Sequence, residues 1–209
     1  MNRSLFTMPK PSPGPPPPHP DDAVVFELEG AELAAVLYDR HGVDVNRVVR
    51  SLLGPDPDHD DIVQRVFSVA LEKLDGLRER SALRPWLVAI AANTTRDELR
   101  RRRRWRWLNL TGSDDTTEVA APGEDLEGRA LLRRFYATVH GLPPDDRIVF
   151  LFRYVDERPL ADIAGICGCS VATVKRRLRR ANDRFLRRAQ RDPELLDRIE
   201  RGTRWETST

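Results

Sequence analysis

The chain has 209 residues, 35 of them basic and 33 acidic for a net charge of +2, and 40% of them are hydrophobic. That length fits one medium domain or two small ones with modest cores. No apolar run approaches the roughly 20 residues that cross a bilayer, so no membrane insertion is expected. The start of the chain is proline-rich, with no apolar signal core, and its two cysteines, Cys167 and Cys169, are too close in sequence for a structural disulfide; both features fit a reducing cytoplasm. All basic residues except Lys10, Lys73 and Lys175 are arginines, and they cluster at 100–104 with Arg106 and again over 175–191. Acid gathers instead over 21–32 and 114–127. Two basic blocks flanking an acidic connector suit a polyanion partner.

In chain order, residues 1–22 read as a disordered proline-rich tail. A first helical domain is expected over 23–108. Leu33, Val36 and Leu37 predict a helix over 32–41, with Gly42 as a left-handed stop. Asp44 would cap a second helix carrying Val45, Val48, Val49, Leu52 and Leu53, closed by Gly54. Asp58 or Asp60 starts a third, with Ile62, Val66, Phe67, Ala70, Leu71 and Leu74 inward. After a polar loop over 75–84, Pro85 suits a helix start, and Trp86, Leu87, Ile90, Ala91 and Leu99 carry that helix into the arginine block. Residues 109–125 lose periodicity and read as an acidic flexible linker. A second helical domain follows over 126–191, with Leu132, Phe135, Tyr136 and Val139 on one helix and Ile148, Leu151, Phe152 and Val155 on the next. Residues 192–209 form a C-terminal tail. The fold class is therefore all-α, two small helical domains with no competing strand pattern.

Residues 160–180 read as a helix-turn-helix within the second domain. Leu160, Ile163, Ala164 and Cys167 point inward, Gly168 to Ser170 turn, and Val174, Leu178, Ala181 and Phe185 form the buried stripe of the second helix. That phase places Ala172, Thr173, Arg176 and Arg180 outward, flanked by Lys175 and Arg179. Ser170 can cap the helix and present its amides to a phosphate. Arg176 could read guanine edges while Lys175 and Arg179 hold the backbone.

In the first basic block, five consecutive like charges repel without a partner, so the arginines read as phosphate ligands. Trp105 and Trp107 interleave with the arginines and could stack on unpaired bases, but as large aromatics they read by preference as core packing. Catalytic signals are scarce. His19, His41, His59 and His140 form no spaced metal pair, Asp60 and Asp61 suit a helix N-terminus, and no phosphate-cradling glycine loop or nucleophile motif is present. No metal, no cofactor and no enzymatic activity are expected.

Three stretches resemble the bacterial sigma-70 family of RNA polymerase sigma factors, specifically its small extracytoplasmic-function (ECF) group. His59-Asp60-Asp61-Ile62-Val63-Gln64-Arg65-Val66-Phe67 is similar to the family's polymerase-binding helix. Residues 81–104, with Arg84-Pro85-Trp86-Leu87, Ile90-Ala91 and Asn93-Thr94, are similar to its minus-ten recognition helix. Residues 142–154, Ala161-Asp162-Ile163-Ala164 and Ser170 to Leu178 are similar to its minus-thirty-five module. The resemblance implies that Asp61, Gln64, Arg65 and Phe67 dock core RNA polymerase. It implies that Arg84, Asn93, Arg96, Asp97, Arg100 and Arg101 meet the melted minus-ten strand. Ser170, Ala172, Thr173, Lys175, Arg176, Arg179 and Arg180 would then hold the upstream element as duplex. A linker of about 17 residues spans up to roughly 58 Å, close to about 17 base pairs at ~3.4 Å each. Arg65 departs from the family, which usually places an acidic residue there. That departure motivates the alternative of a DNA-binding regulator of the same fold that does not engage polymerase productively. An anti-sigma factor is a further candidate partner, with the two tails as candidate docking segments.

Overall fold

A computed structural model describes residues 25–54, 56–77, 79–108 and 126–198. The proline-rich tail, the acidic linker over 109–125 and the chain beyond 198 lie outside the described residues. The helices are α1 (Gly30–Leu53), α2 (His59–Lys73), α3 (Leu83–Leu108), α4 (Leu126–His140), α5 (Pro144–Tyr154), α6 (Leu160–Ile166) and α7 (Val171–Ala189). A short helix over 193–198, α8, follows. Among the described residues there is no strand.

The first half is α1, α2 and α3 packed on one another. Helix α2 has Asp60 and Asp61 in its first turn and Lys73 in its last, charges that oppose the helix dipole at both ends. Its Ile62, Val63, Val66, Phe67 and Ala70 are buried at the 3–4-residue spacing of an amphipathic helix. Helix α1 overturns the expected break at Gly42, because it runs through that residue without interruption. Leu37, His41, Val45, Val48, Val49 and Leu52 form one continuous buried stripe, and this burial outweighs the ~1 kcal/mol that a mid-helix glycine costs. Asp44 does not cap; its carboxylate pairs with Arg47 and Arg84. The stop falls at Gly54, whose φ of +74° favours glycine. A Cβ there would also lie 2.8 Å from Nε2 of His140.

In the second half, Phe135, Phe150 and Phe185 bring α4, α5 and α7 together, with the Phe150 and Phe185 centroids 4.9 Å apart. Leu132, expected inward, is 55% exposed; the inward stripe of α4 instead includes Leu131, Phe135, Tyr136 and Val139. Val155 is 45% exposed because it follows the last residue of α5. Helix α5 is buried from Ile148 to Arg153 without a gap, since α7, α6, α3 and α1 all pack against it. A helix buried all round belongs to the middle of a fold. The segment after α7 also docks: Leu195 is buried, and Arg134 pairs with Asp192 and Glu194.

The two halves therefore meet along α5. Arg147 of α5 donates to the carbonyls of Leu52 and His140. Arg100 of α3 reaches Asp145 of α5 at 2.7 Å.

Candidate nucleic-acid interface

Helix α7 is presented by the turn after α6. Gly168 takes φ +59° there, and Ser170 Oγ accepts a hydrogen bond from Thr173 N at 3.2 Å. This N-cap satisfies one of the free amides at the helix start. Val174, Leu178, Ala181, Phe185 and Ala189 are buried, which fixes the rotation of the helix. Ala172, Lys175, Arg176, Arg179 and Arg180 are exposed and Thr173 is half-buried. The small residues come first and the arginines follow, a profile that permits close approach to a groove floor. Cys167, beneath the turn, is a free thiol pushed up to about 11 by burial and by the neighbouring Cys169, so it stays protonated as packing material.

Three arginines of α7 are engaged internally. Arg180 and Arg184 hold the two oxygens of buried Asp146 at 2.6 and 2.8 Å. Arg177 faces Asp145 at 3.4 Å. Arg176, Lys175 and Arg179 have no carboxylate partner among the described residues, which leaves three cations on the outer face.

On α3 the basic block divides. Buried Glu98 accepts from Arg101 at 2.6 Å, from Arg102 at 2.8 Å and from Arg65 of α2 at 3.2 Å. The hydrogen bond from Arg101, then that from Arg102, hold its carboxyl down to about 2 against the opposing effect of burial. Arg102 also reaches Asp56 and Asp58. The expected mutual repulsion of five arginines is thus largely relieved within the fold; Arg103 and Arg104 alone in that run have no carboxylate partner among the described residues. Trp105 is 59% exposed, contrary to the expected core role, because it falls past the point where α1 and α2 cover α3. The side chain of Trp107 is not among those described.

The remaining minus-ten candidates sit along α3. Arg84 is bonded twice to Asp44, at 2.5 and 3.0 Å. Asn93 and Arg96 are half-buried, Asp97 is exposed, and Arg100 is clasped by Asp145. The Asn93–Arg96–Arg100 stripe turns toward α5 and α6, where Arg96 lies within electrostatic reach of Asp145 and Cys167. Asp145 and Asp146 organise both basic surfaces and were not anticipated from sequence. Their only local sign is two acids following Pro143-Pro144, which reads as ordinary helix-start chemistry.

On α2, Asp61, Gln64 and Arg65 are exposed, whereas Phe67 is buried with the ring of Tyr38 5.2 Å away. Tyr38, Val63, Gln64, Phe67 and Leu71 line a groove of about 480 Å³ between α1 and α2. Arg65, the departure noted above, has an internal function here as a partner of Glu98.

Fold and site together define an all-helical DNA-binding protein of two parts, the second presenting a helix-turn-helix. Residues 37–105 match sigma-70 region 2 and residues 132–182 match sigma-70 region 4. The ECF RNA polymerase sigma factor EcfG of Rhodopseudomonas palustris is 33% identical over 65% of this chain and 73% of its own length. The ECF sigma-E factor of Escherichia coli K12 is 30% identical over 62% of this chain and 72% of its own. The solved sigma factor RpoE of Bartonella quintana, in complex with the anti-sigma factor NepR, has the same fold. Its TM-score is 0.57 at 23% identity, over 78% of this chain and 99% of its own. The chain belongs to the ECF group of the sigma-70 family. It is a sigma factor that binds core RNA polymerase and promoter DNA and directs promoter-specific transcription initiation; the reading as a polymerase-independent regulator is not favoured.

Proposed function

We propose that the labour is divided between the halves residue by residue. Helix α7 holds the upstream promoter element as duplex: Arg176 reads a base edge, Lys175 and Arg179 hold phosphates, and the Ser170-capped N-terminus faces the backbone with Ala172 and Thr173 near the groove floor. Arg180 joins them only by exchanging Asp146 for phosphate. Helix α3 receives the melted strand along Asn93, Arg96, Asp97 and Arg100, with Arg84 and Arg101 supporting that surface through Asp44 and Glu98. Core polymerase seats on the α1–α2 groove, against Asp61, Gln64 and Arg65, with Phe67 as its floor. The protein contributes binding energy rather than chemistry and works as a non-enzymatic cytoplasmic factor. An anti-sigma factor is the further partner we propose, motivated by the Bartonella complex.

The observation that carries the reading is the outward face of α7, with three cations free above a fixed hydrophobic stripe. Run-off transcription with purified core polymerase tests it. Transcripts should start at discrete promoters, and Arg176→Ala should change which upstream sequences are used. Transcription that continues unchanged with Lys175, Arg176 and Arg179 all replaced by alanine would remove α7 from promoter recognition.

A further inference from the structure

Where the two halves meet at their arginine-rich ends, a concave site of about 420 Å³ is lined by Arg103 of α3 and by Arg184, Arg187, Arg188 and Arg191 of α7 and its end. Gly141, in the α4–α5 turn, forms part of its floor. The guanidinium of Arg188 lies directly against Gly141, in space that any Cβ at that position would occupy. Four of the arginines follow helical spacing along one face of α7 and its end, and Arg103 joins them from α3, so two elements from different halves converge on one cavity. Arg184 alone is neutralised, by Asp146; Arg103, Arg187, Arg188 and Arg191 have no carboxylate partner among the described residues. Four unbalanced guanidinium groups around a concavity focus a positive potential, and each can bind phosphate oxygens in bidentate fashion.

We propose that this cavity is a binding site for a small polyphosphate, a linear run of about three phosphates free or carried on a nucleotide, and that its occupation fastens the two halves together. The charge of such a run matches four free arginines, and the volume falls within the ~300–1,000 Å³ typical of small-molecule sites. No aromatic side chain among the described residues lines the cavity, so recognition rests on the phosphates. The site lies about 18 Å of helix beyond Arg176 of the proposed duplex contacts, at Arg188 twelve residues on, but it adjoins the proposed melted-strand surface, because Arg103 follows Arg100 by one helical turn. Because Arg103 belongs to one half and the other arginines to the second, the ligand favours the arrangement in which they are together. The regulatory consequence, that ligand opposes promoter opening, rests on the sigma-factor reading; the binding site itself does not.

Calorimetric titration of the full chain with sodium tripolyphosphate at fixed ionic strength tests the site without polymerase or promoter, so a failure here leaves the sigma-factor reading intact. One saturable site per chain is expected. ATP and GTP should bind within about threefold of each other and AMP at least tenfold more weakly. Arg103→Ala and Arg188→Ala should each weaken tripolyphosphate at least tenfold with the melting temperature retained, while Arg133→Ala, an exposed arginine elsewhere on α4, should leave it unchanged. Equal weakening by Arg133→Ala, or binding that never saturates, reduces the effect to diffuse charge and overturns the proposal. Loss with Arg188→Ala but not Arg103→Ala overturns the bridging. If Arg103→Ala weakens a non-promoter duplex and spares tripolyphosphate, the arginines serve a DNA backbone and the small-ligand site is refuted.

Discussion

Glu98 is a buried carboxylate that three arginines share, and the pairing gives it a measurable pH signature. Its folded value of about 2 lies below the ordinary 4.5, so its contribution to stability is full above about 4.5 and is lost as pH falls toward 2. Glu98→Gln should cost ~2–3 kcal/mol at pH 7, the scale of charge-assisted hydrogen bonds lost at a buried site. That difference should shrink steadily in denaturant melts below pH 4.5. A gap that stays constant from pH 7 to pH 3 would mean that the carboxyl's charge is not what holds the cluster. Arg176 is the opposite case, a cation without an internal partner. Arg176→Ala should leave the melting temperature alone and cost ~1–3 kcal/mol at one upstream base pair, read by binding to a panel of single-base promoter variants. Part of this sorting was open to sequence reading, since Glu98 stands three and four residues before Arg101 and Arg102, the spacing of helical ion pairs. The rest was not, because Asp56 and Asp58 reach Arg102, and Asp145 reaches Arg100, from more than 40 residues away.

At the scale of the helix, periodicity was a reliable guide where one face meets water and the other a core. The α7 stripe of Val174, Leu178, Ala181 and Phe185 lies buried as its spacing predicts. Leu178→Ala should accordingly destabilise the protein by ~2–5 kcal/mol; an unchanged unfolding midpoint would place Leu178 outside the core. Periodicity fails for α5, where Val149, Phe150 and Arg153 are as buried as Ile148 and Leu151. A helix surrounded on every side has no polar face to reveal its phase. Glycine misled in α1 for a related reason. Gly42 has the composition of a stop, but the stripe running through it is satisfied only by continuing, whereas Gly54 ends the helix because the chain needs positive φ and has His140 pressed against it. Gly54→Ala should therefore lower stability by more than the ~1 kcal/mol of glycine propensity alone, and an unaffected melt would show that the seam yields freely.

At the scale of the molecule, the two surfaces proposed to face the promoter are joined by one carboxylate. Asp145 holds Arg100 of the first half at 2.7 Å and Arg177 of the second at 3.4 Å, and the stripe of α3 assigned to melted DNA faces the second half. If α3 receives the melted strand as proposed, full engagement of a promoter requires the halves to part, with phosphates replacing Asp145 as the partner of the arginines. Partly exposed pairs of this kind contribute ~0.2–1 kcal/mol each, so the clasp biases the equilibrium without locking it. Asp145→Asn keeps the shape and removes the charge. It should raise the open population, giving a larger radius of gyration by small-angle scattering and roughly two- to tenfold faster promoter capture in the presence of core polymerase. Removing any acid also favours DNA nonspecifically, so the matched control is Asp183→Asn, which removes an exposed α7 carboxylate without a partner among the described residues. If both variants accelerate capture equally and neither expands the free chain, Asp145 acts only as background charge and the halves are held by the apolar contacts of α5.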